Sequence, residues 1–181
     1  MSEQVVSKRY ADALFQLGKE KLSLDKFVDE FTIVRRIFQD NEELKTFLLH
    51  PGINNVKKKQ LLMEAFGGMH TDVINTLKLI VDRHRTDLIP SIIDGFLQLV
   101  NDAKGIAVAT VYSVRELSND EKLNLKMSFV KRLNKSEVHI QNVVDPSLIG
   151  GMKIRIGNTI YDGSISRKLQ RIERDIVSAN I

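Results

Sequence analysis

Residues 89–114 read IPSIIDGFLQLVNDAKGIAVATVYSV, and the spacing of their apolar side chains changes at Gly105. Before this glycine, apolar residues recur every three or four positions, which is the period of an amphipathic helix. After it they alternate with the period of two that is typical of a β-strand. The stretch therefore predicts a boundary between a helical region and a region that contains a sheet.

Upstream of Gly105, six segments show helical spacing of their apolar residues, over 6–17, 27–38, 44–48, 56–66, 73–81 and 89–103. The first is expected to end near Gly18. The third is expected to stop before Pro51, because a residue that precedes proline avoids the α conformation. The sixth tolerates Pro90 only if this proline lies in its first turn. Six helices joined by loops of a few residues predict a compact six-helix bundle over residues 1–105.

Downstream of Gly105, the pattern predicts a small α+β domain over residues 106–181, with the element order βαβββα. Ser118 and Glu121 have the spacing of a capping box that opens a helix. Further strands are expected over 138–144, 152–156 and 159–162, the last two joined by a tight turn at Gly157–Asn158. The two helices are expected to bury apolar stripes, made of Leu123, Met127, Val130 and Leu133 in one and of Ile165, Leu169, Ile172 and Ile176 in the other. The fold class is therefore mainly α, a helical bundle followed by an α+β domain.

Composition and charge limit the possible functions of these 181 residues. The chain has no cysteine, which excludes a disulfide framework and a thiol nucleophile. No apolar run approaches the roughly 18 residues of a transmembrane helix, and the start of the chain has no targeting leader, so we expect a soluble, unexported protein. Residues 106–181 carry 12 basic and 8 acidic side chains, and they account for the whole net charge of +4. A basic surface fits an acidic protein partner as well as it fits nucleic acid.

The sequence offers little that resembles a catalytic site. None of the four histidines has the spacing of a helical zinc site, and no serine lies in a nucleophile elbow. Gly150–Gly151 is not a phosphate-binding loop, because no Gly-Lys-Ser/Thr follows it. We therefore expect no enzymatic activity, no cofactor and no metal.

Residues 143–165, VVDPSLIGGMKIRIGNTIYDGSI, strongly resemble the signature of the delta subunit of F-type ATP synthases, whose mitochondrial homologue is the oligomycin-sensitivity-conferring protein. The shared pattern is Asp-Pro, a Gly-Gly pair, an alternating strand and Asp-Gly-Ser before a helix that begins with an Arg-x-Leu segment. Residues 9–15, RYADALF, and 75–85, NTLKLIVDRHR, resemble the motifs of the first and fifth helices of this family. The chain departs from the family at His84, where a small residue or glycine is expected, which puts the end of the fifth helix in doubt.

The resemblance implies a non-catalytic stator component of a proton-translocating ATP synthase, on the cytoplasmic face of a bacterial cell membrane and attached to it only through the complex. In this family the helical domain holds the N-terminal helices of the alpha subunits, in a groove between helices one and five. The C-terminal domain holds the b subunits of the peripheral stalk, so that rotor torque drives ATP synthesis. The residues expected at the alpha-subunit groove are Tyr10, Ala13, Leu14, Leu17 and Leu79. Those expected at the stalk are Arg167, Arg171 and Arg174, whose spacing places them together opposite the apolar stripe of the last helix.

Two alternatives remain open at this point. The first is a basic RNA- or ribosome-associated binding protein, for which only Tyr112 and Tyr161 could supply stacking aromatics on the sheet. The second concerns Ala13, because the apolar residues on two sides of the first helix could both be buried inside the bundle. In that case Ala13 would belong to the core and not to a groove.

Overall fold

A computed structural model describes residues 3–157 and 159–179 of the chain, apart from the side chains of Asp175 and residues 177–179. The chain is mainly helical with a small four-stranded sheet, as the sequence predicts. It divides into two compact units, Met1–Val100 and Asn101–Ile181. The division falls within the sixth helix, whereas the sequence placed the boundary after Gly105.

The first unit is built from helices joined by short loops. Their bounds are α1 Glu3–Glu20, α2 Leu24–Asp40, α3 Glu42–Leu49, α4 Asn55–Phe66, α5 Thr71–Asp82 and α6 Ile89–Ala103, with a short 3-10 turn, Thr86–Leu88, before α6. Asparagine side chains begin two of them, because the Oδ1 atoms of Asn41 and Asn54 each accept a backbone N–H from the first turn, at 2.9 Å. Pro90 is the second residue of α6, in the first turn as expected.

The core of the first unit is rich in phenylalanine. The rings of Phe31 and Phe96 lie 5.3 Å apart, and both side chains are at most 1% exposed. Helix α1 was predicted to end near Gly18, and it ends two residues later, at Glu20. The glycine serves packing instead, because an added Cβ would lie 2.7 Å from Cδ2 of Leu24 at the start of α2.

The second unit contains β1 Ile106–Ser113, α7 Asn119–Leu133, β2 Glu137–Val144, β3 Met152–Ile156, β4 Thr159–Asp162 and α8 Ile165–Ala179. The strands lie in the order β2-β1-β3-β4, with β1 parallel to β2 and the other pairs antiparallel. The parallel pair requires a crossover, which α7 provides. The predicted turn at Gly157–Asn158 includes Asn158, which lies outside the described residues.

One face of the sheet carries the core of this unit. Register places Val111 of β1 beside Ile154 of β3, and both are buried together with Phe129 of α7. The predicted capping box is present, since Ser118 Oγ accepts the Glu121 N–H at 3.2 Å and the Glu121 carboxylate accepts the Ser118 N–H at 2.8 Å. On β3, the buried Ile154 alternates with Lys153 and Arg155, so the apolar side of this strand is the one that faces the core.

The predicted buried stripes of the two C-terminal helices are wrong in part. On α7, Leu123 and Met127 are 55% and 50% exposed, because the helix is rotated so that Leu125, Phe129, Val130 and Leu133 contact the sheet. On α8, all four residues expected to point inward are 41% to 58% exposed, namely Ile165, Leu169, Ile172 and Ile176. The side chains described in the core of this unit come from the strands, from α7 and from Leu117 before it, and the α8 stripe is not among them.

Candidate partner-binding surfaces

Helices α1 and α5 are antiparallel neighbours that are joined by side chains near both ends. Lys21, just after α1, forms an ion pair with Asp72 in the first turn of α5, with Nζ and Oδ2 2.6 Å apart. Arg85, just after α5, donates a hydrogen bond of 3.4 Å to the Tyr10 hydroxyl, and its guanidinium carbon lies 5.9 Å from the centre of that ring. These contacts define a strip of surface between the two helices with charged groups at each end.

The structure places most of the residues predicted for the alpha-subunit groove along this strip. Ala13 is exposed, and Tyr10 and Leu17 are half-buried. Leu79 of α5 is 47% exposed, although leucine is a residue that folding usually buries. Leu14 differs from the others, because it is 4% exposed and lies in the core, where no partner can reach it.

His84 lies two residues after the last residue of α5, at the point that its departure from the family put in doubt. Its φ is 54°, in the left-handed region that glycine adopts more easily. The backbone N–H groups of His84 and Arg85 donate to the carbonyls of Val81 and Ile80, so α5 closes with a hydrogen-bonded C-terminal turn despite the larger side chain. This turn positions Arg85 for its contact with Tyr10.

A concave cleft of about 510 Å³ lies on another side of α1, between α1 and α6. Small residues line its floor, and an added Cβ at Gly95 would lie 3.1 Å from Cβ of Ala11. Ser91 is exposed at its edge. Helix α1 therefore contributes to two surfaces, and the sequence suggested only the one that it shares with α5.

Three glycines, Gly150, Gly151 and Gly163, lie close together before the start of α8 and are called the glycine joint. The Ile165 N–H donates to the Gly150 carbonyl at 3.0 Å, and the Gly163 N–H donates to the Met152 carbonyl at 2.9 Å. Gly151 has a φ of 79°, and an added Cβ there would lie 2.5 Å from the Gly163 carbonyl oxygen. Gly151 of the Gly-Gly pair thus allows two backbone segments to approach closely.

One side of α8 is strongly basic. Arg167, Lys168, Arg171 and Arg174 line a cleft of about 280 Å³ together with Asp162. Hydrogen bonds from Ser164 hold the pKa of Asp162 below its ordinary value, and the charges of Arg167 and Lys153 act in the same direction. The predicted arginines are therefore brought together on one exposed surface.

The opposite side of α8 is apolar, and its exposure was not predicted from the sequence. Its apolar stripe lines a second cleft of about 480 Å³ with Ile149, which precedes the glycine joint and is 71% exposed. The helical spacing of the stripe was visible in the sequence. What the spacing did not show is that the stripe stays uncovered in the isolated chain.

The side chains of His70 and His50 each accept a backbone hydrogen bond. His70 Nδ1 accepts the Asp72 N–H at the start of α5, and His50 Nδ1 accepts the Gly52 N–H in the turn after α3. Within residues 3–157 and 159–179, no group of three or more metal-ligating side chains is placed to hold an ion. In the same part of the chain, no helix is long and apolar enough to cross a membrane.

Comparison with known proteins identifies relatives along nearly the whole chain. The model of the ATP synthase delta (OSCP) subunit family matches residues 6–176. A protein of Oceanobacillus iheyensis named ATP synthase subunit delta is 64% identical over 180 residues, which cover 99% of each chain. A protein of the same name from Geobacillus sp. strain WCH70 is 46% identical over 177 residues, which cover 98% of this chain and 99% of the relative.

The fold is also similar to that of a chain in the cryo-EM structure of the Toxoplasma gondii mitochondrial ATP synthase hexamer. The TM-score is 0.77 at 18% sequence identity, and the match covers 94% of this chain and 97% of the other. The comparisons confirm the resemblance seen in residues 143–165 and give no support to the RNA-binding alternative. This chain belongs to the ATP synthase delta (OSCP) subunit family.

Proposed function

We propose that this chain joins the catalytic head of an ATP synthase to its peripheral stalk, with one compact unit for each partner. Members of this family are structural, non-catalytic subunits of the complex and components of its peripheral stalk. In the proposed arrangement the helical unit binds the head and the α+β unit binds the stalk. The link prevents the head from turning with the rotor, so that torque is used for ATP synthesis.

The strip between α1 and α5 is the proposed seat for an N-terminal helix of an alpha subunit. The observation that carries this assignment is the uncovered pair of apolar side chains, Ala13 and Leu79, between the charged ends of the strip. The small side chain of Ala13 allows a partner helix to approach closely, with the half-buried Leu17 beside it. An amphipathic helix in a groove is a common mode of peptide recognition.

The basic side of α8 is proposed to attract the b subunits of the stalk electrostatically. Arg167, Arg171 and Arg174 are all exposed and project from one side of the helix. The excess of basic residues in 106–181 adds to the positive electrostatic potential of these arginines. A surface of one sign accelerates association with a partner of the opposite sign. In the assembled enzyme the chain would lie on the cytoplasmic face of the membrane, attached only through its partners.

The decisive experiment is the Ala13→Asp substitution. Because Ala13 is exposed, the change costs little stability beyond the lower helix propensity of aspartate, about 0.5 kcal/mol. In a complex the carboxylate would be buried without a partner, which costs several kcal/mol. Each 1.4 kcal/mol is tenfold in Kd. We expect the affinity for a peptide of the alpha-subunit N-terminus to fall at least about a hundredfold, while the thermal melt stays close to that of the unaltered chain.

Ser91→Asp provides the matched control, because Ser91 is also small and exposed but lies at the α1/α6 cleft. This variant should bind the peptide as well as the unaltered chain does. If Ser91→Asp loses binding and Ala13→Asp binds normally, the peptide-binding site is the α1/α6 cleft and not the strip between α1 and α5. No binding of the peptide to the unaltered chain would contradict the proposed head contact itself.

A further inference from the structure

His70 precedes α5 and contacts both this helix and α2. Its Nδ1 atom accepts the Asp72 N–H at 3.2 Å, so the neutral ring caps the start of α5. Its backbone N–H donates to Glu30 Oε2 at 2.8 Å, and its ring packs edge-on against the fully buried ring of Phe27, with 5.3 Å between the ring centres. These contacts fix the imidazole, while 28% of its side chain remains exposed and can exchange protons with water.

The carboxylate of Asp72 lies between two basic side chains. Lys21 Nζ is 2.6 Å from its Oδ2 atom, and His70 Nδ1 is 3.4 Å from the same oxygen. The Asp72 side chain is only 16% exposed, whereas that of Lys21 is 47% exposed and follows the end of α1. Lys21 therefore holds the carboxylate when the ring is neutral, and their ion pair is one of the contacts that join α1 to α5.

Protonation of His70 would change both contacts of Asp72. A protonated Nδ1 cannot accept the Asp72 N–H, because it carries a hydrogen of its own. After a small rotation of the ring, the same hydrogen can be donated to Asp72 Oδ2. Lys21 and a charged His70 would then compete for one oxygen and repel each other. The ring is already fixed by its packing, whereas the long Lys21 side chain loses conformational freedom in the pair, so the imidazolium has the advantage.

The charged groups around the ring provide partners for both of its states. Among the described residues, the charged side chains that contact His70 or Asp72 are Glu30 from α2 and Lys21 from the end of α1. The neutral ring accepts the Asp72 N–H, and the charged ring has the carboxylates of two helices nearby. Histidine is the side chain whose charge ordinarily changes between about pH 5 and 8. Two arrangements with different partners are the requirement for a pH-dependent switch.

We infer that His70 is a pH-dependent latch between α1 and α5. When the ring is neutral, Nδ1 caps α5 and Asp72 is paired with Lys21, which ties the two helices together. When the ring is protonated, Asp72 pairs with His70 and Lys21 is released, so that this end of the strip between α1 and α5 is no longer tied. No partner takes part in the exchange, so the inference goes beyond the proposed function and does not depend on it.

The test is the effect of Lys21→Met at two pH values, because this change removes the charge and keeps a long aliphatic side chain. Hydrogen exchange of the full chain gives protection factors, corrected for the intrinsic effect of pH, for the core amides of α2 in the first unit. At about pH 8 we expect Lys21→Met to lower them about two- to fivefold, the effect of a half-exposed ion pair. At about pH 5.5 it should have no measurable effect, because Lys21 is already released.

Two histidine variants assign the pH dependence. His70→Asn removes the titrating ring and keeps the cap, because asparagine side chains begin two other helices of this unit. In this background Lys21→Met should lower protection equally at both pH values. His50→Asn is the matched control, since His50 Nδ1 also accepts a backbone N–H, in the turn after α3. In that background the pH dependence should remain.

Three results would overturn the inference. The first is an equal loss of protection from Lys21→Met at both pH values in the unaltered background, which would mean that Asp72 keeps its partner. The second is a pH dependence that persists in His70→Asn, which would assign it to another group. The third is no effect of Lys21→Met at either pH, which would mean that the ion pair does not tie the helices.

Asp72→Asn provides a second test that does not require His70→Asn to fold. This change removes the shared carboxylate and leaves the His70 ring in place. Lys21→Met should then have no effect at either pH. A loss of protection that still depends on pH in this background would contradict the exchange of partners at Asp72.

Discussion

Two glycines with positive φ offer a matched test of the joint that holds α8. Gly151 has a φ of 79°, and an added Cβ would lie 2.5 Å from the Gly163 carbonyl oxygen and 3.1 Å from Cα of Ser164. Gly157 has a φ of 56°, and an added Cβ would meet nothing within 4 Å. Alanine at either position incurs the cost of the left-handed conformation, but only alanine at 151 also collides with backbone.

The structure gives the expected size of each effect. The left-handed conformation costs a residue with a Cβ about 1–2 kcal/mol, so Gly157→Ala should destabilise the second unit by that amount. At Gly151 the neighbouring atoms belong to the backbone and cannot rotate away, and forced overpacking costs about 1–3 kcal/mol more. For a unit of this size, each kcal/mol corresponds to about 4–8 °C in Tm. The Tm of Gly151→Ala should therefore lie at least about 4 °C below that of Gly157→Ala.

Hydrogen exchange of the full chain separates the two units in one measurement. Amides of β1 and β3 report the unfolding free energy of the second unit, and amides of α2 and α6 before Val100 serve as an internal reference. We expect Gly151→Ala to lower protection in the strands more than Gly157→Ala does, with no change in the reference helices. Equal losses in the two variants would refute the close approach of Gly151 to Gly163.

Two further predictions concern charge. The pKa of Glu121 is lowered to about 2, and the hydrogen bond from Arg115 contributes most to this shift. The capping box should therefore be intact above about pH 4.5 and should weaken as the pH falls toward 2. An NMR titration in which the Glu121 carboxyl has a pKa near 4.3, the ordinary value, would contradict this. Replacing Arg167, Arg171 and Arg174 with glutamate should weaken binding to the stalk subunit at 0.1 M salt. The effect should be much smaller at 1 M salt, where the Debye length is about 3 Å. If the affinity of neither the unaltered chain nor the variant depends on salt, the three arginines do not contribute to association.

Local signals predicted the helical unit well because the features that end its helices are local. Helix α3 ends at Leu49, two residues before Pro51, and α4 ends at Phe66, just before a pair of glycines. Gly18 shows the limit of such signals, since the same residue type that ends a helix can also lie inside one where a neighbour packs closely. Only the position of Leu24 distinguishes the two cases, and that position depends on the tertiary fold.

The exposure of residues along the strip between α1 and α5 was predicted in part, because α1 has apolar residues on two sides. Ala13 and Leu14 are adjacent in sequence, and a step of one residue turns the side chain by 100°. The bundle covers Leu14 and leaves Ala13 exposed, which periodicity alone could not decide. The contacts at the ends of the strip, Lys21 with Asp72 and Arg85 with Tyr10, join residues that are far apart in sequence and have no local signature.

Helices α6 and α8 show why the apolar stripe of α8 was predicted to be buried although it is exposed. Both have 15 residues and an apolar stripe at intervals of three and four. In α6 the stripe is buried within its own bundle, and Ile89 and Phe96 are fully covered. In α8 the same kind of stripe remains about half exposed at Leu169 and Ile172. Amphipathic spacing indicates that a face needs cover, but it does not indicate whether that cover comes from the same chain.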